Sequence, residues 1–386
     1  MSDRSLPAVR ADHVGSLIRP DALVAAIEGE RDKKVSPAEL AAIRHEKIRE
    51  VVKRQEELGF QVESDGEFNR TSWQADFLVK FANVRRVEQG SQTPATSFAV
   101  HANDAGQPGG GAAASRGPAI MRVEGKLARP AGGIFVDDFK FLKSIAHATP
   151  KLTMPSPSVL HFRGGRSAID EKAYPDLDRF FADLTKVYRD EIAGLAAAGC
   201  RYVQIDEVNL AYLCDPAMRQ RAREFGEDPE TLPETYAKLI NDVIAGRPDD
   251  MTAAIHLCRG NFAGNWFATG GYEPVADVLF NTVEVDRYLL EFDTPRAGSF
   301  EPLRFLPKGK IAVLGLLTTK SGEMEKKDDI KRRIDEAAKF APLEQLALSP
   351  QCGFASGIGG STMSIERQWE KLALVAEIAR EVWGRA

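Results

Sequence analysis

The chain has 386 residues, 43% of them hydrophobic and 28% charged, with a formal net charge of −5; that balance supplies a large core and excludes wholesale disorder. Acidic and basic residues are interspersed, so no basic block invites nucleic acid, and neither a signal-peptide stretch in residues 1–10 nor a membrane-spanning apolar run is present. Four cysteines (Cys200, Cys214, Cys258 and Cys352) are too few for a disulfide framework, and the expectation is a cytoplasmic protein with reduced thiols.

In chain order, residues 9–14 are the first strand expected. Ser36, Pro37 and Glu39 then open a helix: serine caps, proline suits the first helical position and glutamate completes a capping box. Gly59 ends that helix, and the chain turns directly into a strand at 61–64. Residues 151–154 form the third strand. A helix over 176–198 carries Phe180, Leu184, Val187, Ile192 and Leu195 at helical spacing and stops at Gly199 before a strand at 201–206. A helix near 235–245 precedes the strand at 251–258, and further strands fall at 288–292, 310–317 and 346–349, with helices near 328–340 and 364–383.

Eight strands, most of them followed by helices, predict an α/β chain folded as a single (β/α)8 TIM barrel over residues 1–386; a doubly wound open sheet is the rival topology. Residues 82–134 break the alternation. They are rich in Gly, Pro, Ala, Ser and Thr, carry three glycines at 109–111, and offer a hairpin around 120–127, so they are expected to form an insertion after the second strand.

Barrel active sites lie at the C-terminal ends of the strands. There the fifth strand ends His256-Leu257-Cys258, the sixth contains Glu291, and the eighth runs into Cys352. Residues two apart on a strand face the same way, so His256 and Cys258 can present nitrogen and sulfur side by side. With Glu291 and Cys352 the set becomes one nitrogen, one oxygen and two sulfurs, which tetrahedral zinc accepts and magnesium or calcium does not. Each cysteine read alone is equally a small buried hydrophobe. A second cluster is acidic: Asp65-Gly66-Glu67 follows the second strand and Asp206-Glu207 ends the fourth, where carboxylates can hold a substrate ammonium or simply cap a helix. The amides of Gly15 and Ser16, after the first strand, can receive a carboxylate, or form a plain tight turn.

Gly15-Ser16, Asp65-Gly66-Glu67, Gln204-Ile205-Asp206-Glu207, His256-Leu257-Cys258, Glu291 and Pro350-Gln351-Cys352-Gly353 together resemble the cobalamin-independent methionine synthase family, in its C-terminal catalytic barrel and its short stand-alone forms. The resemblance implies a zinc-dependent methyltransferase in which homocysteine, as a zinc-activated thiolate, attacks the methyl of methyltetrahydrofolate or another donor such as a methylated corrinoid, forming methionine. It makes His256, Cys258, Glu291 and Cys352 the metal ligands, and Ser16, Glu67 and Asp206 the grip on the amino-acid part of the acceptor.

Two departures bear on the donor. The long form of the family has an additional N-terminal barrel that helps hold polyglutamylated folate, for which this chain is too short. Where the catalytic barrel carries a proton-passing histidine, this sequence has Gly315-Leu316-Leu317-Thr318-Thr319-Lys320. The zinc motif also resembles that of transferases that open epoxides with coenzyme M. Alkyl transfer to another small thiol and a non-catalytic zinc-binding barrel are therefore the alternatives.

Overall fold

The computed structural model describes residues 9–87, 120–261, 264–358 and 361–386. Seven parallel strands form one sheet, in the order β1 (Val62–Glu63), β4 (Thr149–Pro155), β5 (Tyr202–Glu207), β6 (Thr252–Leu257), β7 (Arg287–Glu291), β8 (Ile311–Leu317) and β9 (Leu346–Pro350). Every residue of β5, β6, β7 and β9 is buried, as expected for parallel strands covered on both faces by helices and side chains.

The helices begin and end where the local chemistry dictates. Pro37–Leu58 starts on a complete capping box, with Ser36 Oγ accepting from the Glu39 amide at 3.2 Å and Glu39 Oε2 accepting from the Ser36 amide at 2.8 Å. It ends at Gly59, whose φ of +86° lies in the left-handed region that glycine adopts without a Cβ penalty. Asp176 caps Leu177–Ala197 by accepting from the Arg179 amide, and Ser364 caps Ile365–Trp383 through the Arg367 amide.

The sheet curls. Val62, Tyr202, Ala254, Leu289, Val313 and Ala347 come from six of its strands, yet they pack into one buried cluster together with Val9 and Val14. The two edge strands, β1 and β9, therefore both meet the N-terminal segment. That segment, expected as a full strand, shows regular pairing only as a parallel bridge at Ala11: Leu348 donates to Arg10 O at 2.8 Å and Asp12 donates to Leu348 O at 2.9 Å. On its other side Ser64 Oγ donates to Gly15 O at 2.7 Å, and the Leu17 amide reaches Gly66 O at 3.0 Å.

A buried polar knot pins the segment to the interior. Asp12 accepts from Lys151 Nζ at 2.8 Å and Tyr202 OH at 2.7 Å, and lies 3.4 Å from Arg287 Nη2. Lys151 also donates to His13 O, while Gln204 Nε2 donates to Val14 O at 2.7 Å. All of these side chains are at most 1% exposed, where an unpaired charge is costly and mutual pairing offsets the desolvation.

The region after β1 differs from the sequence expectation. Residues 120–127 do not form a hairpin of their own. β3 (Ile120–Val123) instead pairs antiparallel with β2 (Val84–Val87), as a two-stranded ribbon apart from the main sheet. Residues 88–119, including the glycine run, lie outside the described residues. Among the described residues no helix is long and apolar enough to cross a membrane.

Candidate metal and amino-acid site

His256 is carried by β6, Cys258 follows it, Glu291 ends β7 and Cys352 follows β9. The sheet curl brings one donor atom from each of these four buried residues within 4.8 Å of one another. The two sulfurs are 3.3 Å apart.

His256 Nδ1 faces the carbonyl of Leu289 at 3.2 Å, which orients the ring and leaves Nε2 buried without a hydrogen-bond partner. A backbone carbonyl on one ring nitrogen, with the ring set against the Cys258 thiol, is the arrangement a metal-binding histidine uses. The Cys258 thiol is pushed well above its ordinary pKa by its hydrogen bond to Cys352, by burial and by the neighbouring sulfur. Crowding and burial thus disfavour ionisation of these donors, a penalty that a bound cation relieves. One nitrogen, one oxygen and two sulfurs suit zinc.

Glu291 is held from both sides. Its Oε1 accepts from the Arg259 amide at 2.9 Å and its Oε2 from Arg296 Nη1 at 3.1 Å. Burial acts to raise its pKa, but Arg296, Lys320 and Arg259 outweigh burial and keep the carboxylate ionised. Lys320, in the stretch where the family histidine is missing, is itself buried and donates to Gly260 O at 2.9 Å.

The acidic cluster separates into two kinds of carboxylate. Glu207 accepts from Ser158 Oγ at 2.6 Å and from the Asn209 and Leu210 amides, so it takes up the first two amides of the short helix Asn209–Tyr212. Asp65 accepts from the Glu67 amide at 2.8 Å and shapes the turn. Asp206 and Glu67 interact with each other. Asp206 is raised to about 7 by burial and by the Glu67 charge, and it stands in register with His256 across β5 and β6.

Glu67 has φ +60°, uncommon for a residue with a Cβ. The surroundings over-determine it: Thr153 Oγ1 donates to Oε1 at 2.7 Å, Arg19 Nη2 donates to its carbonyl at 2.8 Å, and Oε2 remains buried and unpartnered. Backbone strain held this way is concentrated at functional sites. Ser16 abuts the Cys352 loop so closely that a Cβ on Gly353 would lie 1.9 Å from Ser16 Oγ. The three residues expected to grip an amino acid thus border the four-donor cluster: Asp206 beside His256, Ser16 against the residue after Cys352, and Glu67 facing Asp206.

Sequence reasoning missed Arg259, Lys320, Arg163 and Tyr212, all buried around the cluster, and the partly buried Arg296. An arginine or lysine in a loop carries the same local pattern whether it is solvated or turned inward, so no sequence signal marks these. Cys200 and Cys214, assigned to no metal, lie apart from the cluster, and burial pushes both thiols up to about 12.

Fold and site together define an α/β protein with a four-residue Cys, His and Glu centre at the carboxyl ends of its parallel strands. Residues 122–378 match the family described as "Cobalamin-independent synthase, Catalytic domain", and the chain belongs to that family. It is 41% identical over 379 residues to the uncharacterized Bacillus subtilis protein YxjH, covering 97% of this chain and 94% of the relative. It is 23% identical over 353 residues to a methionine synthase of Saccharolobus solfataricus, covering 90% and 89%. Among solved structures, a Listeria monocytogenes protein provisionally described as a vitamin-B12 independent methionine synthase superposes with a TM-score of 0.74 at 32% identity, covering 97% of this chain and 98% of that one. A B12-independent methionine synthase from Shewanella, solved with selenomethionine, shares the fold with a TM-score of 0.69 at 18% identity, covering 98% of both chains. Membership makes the chain a methionine synthase-like methyltransferase, of a family that transfers methyl groups to homocysteine.

Proposed function

We propose that this protein is a zinc-dependent methyltransferase that methylates the thiol of homocysteine, with His256, Cys258, Glu291 and Cys352 as the metal ligands. The observation that carries the reading is the convergence of those four buried donors within 4.8 Å, together with the partnerless Nε2 of His256. When bound, zinc lowers the pKa of a substrate thiol, so that thiolate is available at neutral pH.

Glu67 and Asp206 hold the acceptor's ammonium, and Ser16 with the adjacent amides receives its carboxylate. This orients the sulfur toward the donor and fixes the attack geometry. Of the four residues that would hold zinc, Glu291 would be the most exchangeable, because a hard carboxylate already shared with Arg296 and the Arg259 amide would compete poorly with a thiolate for that metal. Metal–oxygen distances that stay unchanged when thiol is added count against this. In the same reading the segment 9–14 is the eighth stave that closes the curled sheet into a (β/α)8 barrel, residues 82–134 are its insertion, and the protein works in the cytoplasm, a reading its four free cysteines support.

The buried Glu67–Asp206 pair, with Arg70 Nη1 3.4 Å from Glu67 Oε1, matches an ammonium and so favours an amino-acid acceptor over a sulfonate thiol such as coenzyme M, which has no ammonium. The experiment is zinc content of the purified protein together with homocysteine-dependent demethylation of monoglutamyl methyltetrahydrofolate, triglutamyl methyltetrahydrofolate and methylcobalamin. One equivalent of zinc with methionine formed supports the proposal. Zinc without methionine moves the reading to other thiols and alkyl donors, and no zinc after metal-replete preparation overturns it.

A further inference from the structure

Arg163 follows the short helix Val159–Phe162 at the carboxyl end of β4. It is 4% exposed, its Nε and Nη1 have no hydrogen-bond partner, and among the described residues no carboxylate is ion-paired with it. Its surroundings are the ring of Trp73, whose centroid is 5.5 Å from the guanidinium carbon, the hydroxyl of Tyr212, and Cys258 of the four-donor cluster. A guanidinium stays charged at any physiological pH. Burying it beside an indole and a phenol, with donors unused, is unfavourable unless something pairs with it.

Arg163 is hydrogen-bonded to Tyr212, whereas each of the other cations near the cluster has a carbonyl or carboxylate partner. Arg259 donates to Gly270 O, Arg296 pairs with Glu291 and Asp293, and Lys320 donates to Gly260 O. In the proposed function the acceptor's two charged ends are also matched, its ammonium by Glu67 and Asp206 and its carboxylate at Gly15 and Ser16. The second substrate is left as the source of the missing anion.

We propose that Arg163, with Trp73 as an aromatic wall and Tyr212 as its brace, forms the subsite for an anionic group of the alkyl donor, and that the donor therefore carries a carboxylate or phosphate. Arg163 is a binding residue here: it takes no proton and forms no covalent bond. This rests on the proposed thiol-alkylation reading, and the two are separable, because zinc and homocysteine binding report on that reading without involving Arg163.

The test uses the zinc-loaded, homocysteine-saturated protein as wild type, Arg163→Met and Arg163→Lys. Binding of methyltetrahydrofolate and, separately, of inorganic phosphate is followed by calorimetry and tryptophan fluorescence. The wild type is expected to bind at least one probe, Arg163→Met to bind it at least ~10-fold more weakly, and Arg163→Lys to recover most of the affinity, as a charged hydrogen bond of this size predicts. Zinc content and homocysteine affinity should stay within about twofold in both variants, since neither contact is removed. Equal probe affinity in wild type and Arg163→Met overturns the subsite, as does a wild type that holds zinc and homocysteine but binds neither probe. Failure of the wild type to hold zinc or homocysteine counts instead against the proposed function.

Discussion

Cys258 Sγ and Cys352 Sγ lie 3.3 Å apart, although 94 positions separate the two residues in the chain. Each is placed by the end of a different strand, and together they supply the softest half of the donor set. Cys352→Ser is expected to lower zinc affinity by more than the roughly 10- to 100-fold that changes outside the ligand shell cost, with loss of methyl transfer. Metal analysis after dialysis against a chelator measures this. Full zinc occupancy with intact turnover in the variant refutes the ligand assignment.

Asp206 should show opposite effects on stability and on binding. Its carboxyl is raised to about 7 in the folded protein, against an ordinary value of 3.8. Between about pH 4 and 7 the folded state therefore holds a proton that the unfolded state has released, and stability falls as pH rises through that window. Asp206→Asn removes this loss, so its Tm should exceed that of the wild type at pH 8 and match it near pH 4. The same substitution removes a charge-assisted hydrogen bond worth about 1.5–3 kcal/mol, raising the KM for homocysteine roughly 10- to 100-fold. A lower Tm at pH 8, or an unchanged KM, contradicts the assignment.

Gly353 has no room for a side chain, since a Cβ would sit 1.9 Å from Ser16 Oγ and 3.2 Å from Ser16 Cβ. Gly353→Ala must displace either Ser16 or the loop that carries Cys352, at about 1–3 kcal/mol of stability. Urea denaturation should record the loss, and zinc affinity should fall with it. A second substitution, Ser16→Gly, should restore stability and zinc without restoring homocysteine affinity.

The polar knot around Asp12 is expected to be sensitive to removal of one partner. Lys151→Met leaves Asp12 buried with Tyr202 and Arg287 but without its closest cation. Breaking a buried pair in this way costs about 3–5 kcal/mol, and because the knot anchors residues 9–14, the loss should appear as a lower urea midpoint. A midpoint within experimental error of the wild type shows that the segment is held by its apolar contacts alone.

Much of this arrangement is legible in the sequence because it depends on local periodicity and end chemistry. The Ser36 capping box, the stop at Gly59 and the buried runs of β5 and β6 follow from rules that operate within a few residues. The two-residue spacing of His256 and Cys258 likewise implied one shared face. Partners separated by longer stretches were not legible. Ile120–Val123 reads as half a local hairpin, but its partner is Val84–Val87, because two edges of compatible twist can pair whatever the chain length between them.

The sequence by itself determined the long capped helices, seven of the eight strands it led one to expect, and which residue types stand at the strand ends, and its ordered motifs also pointed to the family; it did not mark the helices Asp21–Arg31 and Val136–Ile145 or the strand Val84–Val87. Only the tertiary structure decided that Asp206 turns inward beside His256 while the adjacent Glu207 takes the first amides of a short helix, and that Arg163, Arg259 and Lys320 are buried beside the cluster and Arg296 pairs with Glu291. Local propensity acts over a turn or a pleat, whereas the distances among donors carried at the ends of β6, β7 and β9 are set by the curl of the whole sheet and the packing against it.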